Sequence, residues 1–179
     1  MVLLFAAPVL AAEVEGVSVP EKAVADGQTL VLNGAGVRTK FFFDIYVGAL
    51  YLPARTRDAR QAIEGKGPKR VTMHFLYGEV GRKKLTDGWI KGFEKNQSKH
   101  AMAKLRDRLA QFNAMFTDAR KGDEFVFDFL ANGDTRVILK GETKGVIPGE
   151  NFARALLAVW LGRKPADKGL KKAMLAASR

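Results

Sequence analysis

The sequence predicts an α+β fold built on a mostly antiparallel sheet. Three observations carry that expectation. Strand-like runs come first, helical patterns follow, then a hairpin, then helices again, which is not the strand–helix alternation that a parallel sheet demands. In DEFVFDFLANGDTRVILKG, Phe125, Phe127 and Phe129 alternate with Val126, Asp128 and Leu130, and Asn132-Gly133, a favoured hairpin dipeptide, follows. ENFARALLAVWLG then reads as an apolar helix closed by Gly162.

The 179 residues suit one domain, and 47% apolar composition is enough for a real core. The opening MVLLFAAPVLAA reads as a secretory signal over residues 1–12, with residues 13–179 as the single domain. Its apolar run, Val2 to Leu10, is too short to span a bilayer, and it lacks the usual basic start. The competing reading is a buried first strand. A periplasmic location follows from the signal reading.

Next, VEGVSVPEKAVADGQTLVLNGAG holds short strand-like runs separated by turn signals at Pro20, Asp26-Gly27 and Asn33-Gly34. Val37 to Leu52 is rich in aromatic and β-branched residues and reads as strand, ended by Pro53. ARTRDARQAIEG reads as a short polar helix. KRVTMHFLYG is a strand with Val71, Met73 and Phe75 on one face. Leu85, Trp89, Ile90 and Phe93 fall at helical spacing. Ser98 caps a further helix whose stripe runs Met102, Leu105, Leu109, Phe112, Phe116. A turn at Ile147-Pro148-Gly149 precedes the apolar helix, and DKGLKKAMLAASR forms a basic terminal one.

Several function classes are excluded. With no cysteine there is neither a disulfide nor a thiolate metal site, and two histidines at no ligand spacing make no metal centre. Catalytic signatures such as GxSxG, HExxH and the phosphate-binding loop are absent. Neither a cofactor nor a metal is expected. The net charge of +11 favours anionic partners, yet the cations are scattered, as a solvated surface also requires. GRKK and KGLKK lack interleaved aromatic residues, so no nucleic-acid partner is expected; peripheral contact with an anionic membrane surface stays open.

Arg38 and Tyr46 are the candidate site. On a strand that turns and returns, both can point to one side, although a turn or bulge between them can break that parity. A guanidinium binds carboxylate through two parallel bonds and a phenol adds a third donor. The alternative is an exposed Arg38 and a packed Tyr46, with Asp44 as an internal ion-pair partner.

LNGAGVRTKFFFDIYVGALYLP resembles the signature of chalcone isomerase-like proteins, specifically the bacterial secreted branch. The resemblance continues through KRVTMHFLYG, KKLTDGWIKGF, GDEFVFDFLANGDTRVILKGE and VIPGENFARALLAVWLG, from about Val17 to Leu161. It implies an open-faced β-sandwich, a large antiparallel sheet covered on one side by helices. The family holds flavonoid-cyclising isomerases, fatty-acid-binding proteins and members without an assigned reaction. By the same resemblance Arg38 matches the isomerases' arginine, Tyr46 stands where fatty-acid binders carry tyrosine, and Lys84 matches a lysine of the site. Gly81, Gly88 and Ala153 stand where the isomerases carry tyrosine, asparagine and a late hydroxyl. Cyclisation needs donors for a developing enolate, and these three residues offer none from a side chain.

The resemblance therefore implies a non-catalytic binder of a fatty acid or similar amphipathic carboxylate, with Arg38, Tyr46 and Lys84 at the ligand. Phe41, Phe43, Phe112, Phe116 and Leu157 are candidate lining. A closed apolar pocket ending at Arg38 is the expected sign; a filled core there counts against it. An isomerase or lyase acting on an enone, using Lys84 and Tyr46 as acid and base, is the alternative. A basic envelope interaction protein is a third.

Overall fold

The computed structural model describes residues 11–177. The signal expectation falls almost wholly on residues 1–10, outside the described residues. Ala11 and Ala12, at the expected cut, open strand β1 (Ala11–Val14), which pairs with β2 (Val17–Pro20).

The main sheet has seven strands: β3 (Lys22–Ala25), β4 (Gln28–Lys40), β5 (Phe43–Leu52), β6 (Lys69–Phe75), β9 (Glu124–Phe129), β10 (Thr135–Leu139) and β11 (Glu142–Ile147). Their order is β11-β10-β9-β6-β5-β4-β3, and every neighbouring pair is antiparallel. Between β5 and β6 lies α1 (Ala59–Glu64). Between β6 and β9 come β7 (Glu79–Val80), α2 (Arg82–Asn96), α3 (Lys99–Ala114) and β8 (Ala119–Arg120). The chain closes with α4 (Glu150–Leu161) and α5 (Lys168–Met174).

The helices share one face of the sheet. Tyr46, Leu50, Val71, Met73, Phe75, Phe125 and Phe127 point into that layer from the strands and meet Trp89, Phe93, Phe112, Phe152 and Trp160 from the helices. α4 is buried on nearly every side, with α1, α2 and α5 packed around it, which is why its sequence is apolar all round. The other face carries a second cluster, Leu30, Leu32, Val47, Ala49 and Tyr51, covered in part by the β1–β2 hairpin. The Tyr51 hydroxyl ties that hairpin down by donating to the Pro20 carbonyl at 2.9 Å.

Two bulges set which residues face the helices. Asn33-Gly34, expected as a turn, lies inside the continuous strand β4. Leu32 pairs with Tyr51 and Gly34 with Leu50, so Asn33 is the extra residue. An extra residue inverts the alternation of side chains. Leu30 and Leu32 point to the second cluster, and beyond the bulge Ala35 and Val37 take over that role. Gly34 and Gly36 turn instead toward the helices, where α5 rests on them. Asn33 is buried, and its side chain donates to the Met174 and Thr56 carbonyls and accepts from the Thr56 amide. A buried amide with its partners satisfied costs little, so the bulge holds α5 against the sheet.

Asn132-Gly133 does sit between β9 and β10, but in a five-residue connection, Leu130 to Asp134, rather than a two-residue turn. Ser98 caps α3 as expected, accepting from the Ala101 amide at 3.1 Å. Among the described residues no helix is long and apolar enough to cross a membrane.

Candidate functional site: an arginine over a buried phenol

The second bulge builds the site. Lys40 pairs with Phe43 and Thr39 with Asp44, a register that by itself would set Arg38 opposite Ile45. The register shifts there, Ile45 becomes the extra residue, and Arg38 lies opposite Tyr46. Residues directly opposite on paired strands share a face. The Ile45 carbonyl accepts from the Leu76 and Tyr77 amides at 2.9 and 3.2 Å, which anchors the bulge.

Tyr46 is buried, at 1% exposure. Its ring packs against Phe75, and its oxygen accepts from the Trp160 indole N–H at 3.0 Å. Burial pushes the phenol pKa up, against the opposing pull of the Arg38 cation and the Trp160 donor, so Tyr46 stays a neutral phenol able to donate. The Arg38 guanidinium stands over the ring, 5.7 Å from its centroid, and is half-buried. Such a stack is worth about 0.5–1 kcal/mol near the surface.

Asp44, the expected rival, is not the partner of Arg38. Its carboxylate accepts from the Thr39 hydroxyl at 3.0 Å. Asp167 accepts from the Thr39 amide at 3.2 Å and caps α5 through the Leu170 amide at 2.8 Å. Among the described residues Arg38 forms no ion pair. The end of the hairpin thus holds a cation with unused donors beside a neutral phenol.

A floor without side chains leads to that pair. Gly36 lies opposite Gly48, next to the Arg38–Tyr46 pair, and Gly34 follows. A Cβ on Gly36 would meet the Ala173 Cβ at 2.4 Å, and one on Gly48 would meet the ends of Leu170 and Met174 at 3.0–3.2 Å. The short helix α5 therefore fills a glycine-floored trough that ends at the arginine.

The other expected lining behaves differently. Phe112, Phe116 and Leu157 are buried in the core. Phe41 and Phe43, expected in the lining, are 78% and 55% exposed, because β4 and β5 are joined by a two-residue turn that carries them clear of the helix layer. The space between sheet and helices is filled, with Trp89 in contact with Phe112, Phe116, Phe127 and Trp160. A closed apolar pocket ending at Arg38 is not what the structure contains there. A groove of about 670 Å³ runs between α2 and α3 over Ile90, Met102 and Leu109, and a hollow of about 210 Å³ lies under the β1–β2 hairpin beside Tyr51 and His74. Neither is lined by Arg38 or Tyr46.

Lys84 is exposed on the first turn of α2 and makes no hydrogen bond or ion pair with Arg38 or Tyr46. Gly81 is the N-cap of α2, Gly88 has open space where a Cβ would stand, and Ala153 is buried in α4. Among the described residues no group of three metal-ligating side chains comes together.

Two polar features escaped the sequence. Trp160 lies in the run that reads as an apolar helix, and its N–H is the donor that fixes the Tyr46 oxygen; the two lie 114 residues apart, beyond the reach of any spacing rule. Trp89 keeps a buried N–H with no partner in the same layer. The only available sign was that both tryptophans sit on apolar helical stripes.

A family model described as chalcone isomerase-like matches residues 11–176. Among solved structures, a fatty-acid-binding protein of Arabidopsis thaliana superposes with a TM-score of 0.70 at 14% sequence identity, covering 89% of this chain and 92% of that one. At that identity the likeness is one of fold. No curated protein matches the chain. A match along nearly the whole chain, on a seven-stranded antiparallel sheet covered by helices on one face, decides the matter: the chain belongs to the chalcone isomerase-like family.

Proposed function

We propose that this chain is a non-catalytic, periplasmic binding protein for a fatty acid or a similar amphipathic carboxylate. The observation that carries the reading is the Arg38 guanidinium above the buried Tyr46 phenol, with no carboxylate of the described residues paired to it. A carboxylate placed there accepts two bonds from the guanidinium and one from the phenol. The name of the Arabidopsis thaliana neighbour supports the ligand class.

The acyl tail, on this reading, takes the glycine floor of Gly34, Gly36 and Gly48. Leu170 and Met174 of α5 hold that place here, so binding lifts α5 rather than opening the aromatic core. A helix of seven residues is a modest element to displace. Gly81, Gly88 and Ala153 bring no side-chain proton donor, which favours holding a ligand over converting one. Incubation with a chalcone checks this: loss of its visible absorbance no faster than the spontaneous rate is expected. The periplasmic location rests on the apolar opening of the chain, and N-terminal sequencing of protein from a periplasmic extract tests it.

The direct test is titration with a fluorescent long-chain fatty acid. Saturable binding is expected, weakened at least about tenfold in Arg38→Ala. The methyl ester of the same acid should bind wild type and variant alike, because it lacks the anionic head. Equal affinity of both proteins for the free acid would overturn the assignment of Arg38.

A further inference from the structure

Four hairpins among the described residues turn on two residues with positive φ: Glu15-Gly16 (46° and 74°), Asp26-Gly27 (50° and 71°), Phe41-Phe42 (49° and 68°) and Lys140-Gly141 (55° and 80°). Left-handed backbone presses Cβ against the neighbouring carbonyl, so such turns favour Asn, Asp and above all Gly. Three of the four follow that rule. The fourth places two phenylalanines where glycine belongs.

The rings are not buried in return. Phe41 is 78% exposed, Phe42 102% and Phe43 55%. Tyr77, 37% exposed, packs edge-on against Phe43 at 5.4 Å and extends the aromatic surface. Neither turn chemistry nor core packing explains these residues, and contiguous exposed rings on a soluble surface mark a contact site.

The surroundings select the partner. Lys40 lies 5.6 Å from the Phe41 ring centroid. Lys168 is exposed at the start of α5, next to Asp167, which holds the Thr39 amide. Of the nearby carboxylates, Asp44 is bound by the Thr39 hydroxyl and Asp167 by two backbone amides. Exposed aromatic rings at a hairpin tip, flanked by Lys40 and Lys168 on a chain of net charge +11, match the headgroup region of an anionic bilayer. A stable protein interface needs roughly 800 Å² from each side, more than three phenylalanines and a part-exposed Tyr77 present.

We propose that the Phe41–Phe43 tip is a membrane-docking loop, its rings seated in the interface of an anionic bilayer and Lys40 and Lys168 against lipid phosphates. The proposal goes beyond the carboxylate reading and does not rest on it: a protein that binds no fatty acid would still dock.

Co-sedimentation of the full chain with vesicles tests it, using phosphatidylcholine alone and mixed with phosphatidylglycerol. The comparison is with Phe41→Asn/Phe42→Gly, which removes the rings and installs the turn residues that the backbone prefers. Both proteins share the same apolar opening, so its contribution cancels. The wild type is expected to partition onto the mixed vesicles at least about tenfold more than the variant, and more than onto neutral vesicles. The variant should melt no lower than the wild type. Equal partitioning of the two proteins, no partitioning of the wild type, or a variant effect confined to self-association without vesicles would overturn the proposal. If the double variant fails to fold, Phe42→Trp serves: its emission moves to the blue with mixed vesicles, and an unmoved spectrum contradicts docking.

Discussion

Two arginines on the same sheet live in opposite circumstances. Arg70, on β6, donates to both oxygens of Asp128 on β9 at 2.6 and 2.9 Å, and Arg136 on β10 stands 3.9 Å from the same carboxylate. The three lie directly opposite one another across adjacent strands, and the Asp128 side chain is 2% exposed. Arg38, at the end of the β4–β5 hairpin, has a phenol beneath it and no carboxylate partner. In the middle of the sheet the fold pairs its arginine with a carboxylate; at the hairpin end the nearby carboxylates, Asp44 and Asp167, are held by Thr39 and the first turn of α5 instead. A buried charge is retained where it is paired, and an unpaired cation beside a neutral phenol has room for an anion from outside.

That contrast is breakable by mutation. Asp128→Ala leaves Arg70 and Arg136 without their shared buried carboxylate and should cost about 3 kcal/mol in denaturant unfolding. Arg38→Ala should cost less, about 1 kcal/mol in the ligand-free protein, because what is lost is contact with the single Tyr46 side chain. Comparable losses from both would show that Arg38 is structural and erase the distinction.

Gly36→Val probes the trough beside Arg38. Its Cβ would stand 2.4 Å from the Ala173 Cβ, so α5 must shift, at about 1–3 kcal/mol. Faster amide exchange confined to α5 would mark it as the element resting on the trough; unchanged exchange there would deny that contact its importance.

Tyr46→Phe keeps the ring and strands the Trp160 N–H, a loss of about 1–3 kcal/mol, and should also weaken fatty-acid binding. A variant as stable as the wild type would show that the buried bond is inconsequential.

The smallest effect concerns alkaline pH near Arg70. Burial, with Glu124 adding to it, pushes the Tyr51 phenol up to about 12 from its ordinary 10.0. Because the folded value is the higher, the stability from neutral Tyr51 is complete below pH 10 and fades as pH rises toward 12. Ultraviolet titration should show Tyr51 ionising after an exposed tyrosine, and Tyr51→Phe should remove part of the alkaline loss of stability.

Much of the fold is legible in the sequence, and the reason lies in periodicity. Phe125, Phe127 and Phe129 alternate and all three are buried; Ser98 caps its helix; the apolar α4 is the most enclosed helix. What alternation cannot register is an extra residue. Asn33-Gly34 has the chemistry of a turn, and only pairing with β5 makes it a bulge. Even spacing alone, carried around a two-residue turn, would put Arg38 and Tyr46 on opposite faces; Ile45, inserted on the return strand and invisible in the spacing, is what brings the two opposite. Phe41 and Phe43 read as lining because aromatic residues in a strand are usually inside; their exposure follows from where the turn falls. The partnership of Asp128 with Arg70 spans 58 residues, and Asp128 showed itself only as a lone acid in a run of phenylalanines.

A carboxylate held by Arg38 and Tyr46 is the proposal on which the ligand reading turns. Mass spectrometry of small molecules released from the purified protein, beside those from Arg38→Ala, tests it most directly. A fatty acid in the wild type and its loss from the variant are the expected results. A wild type that is empty and refuses added fatty acids, or a variant that carries the same acid in the same amount, would contradict it.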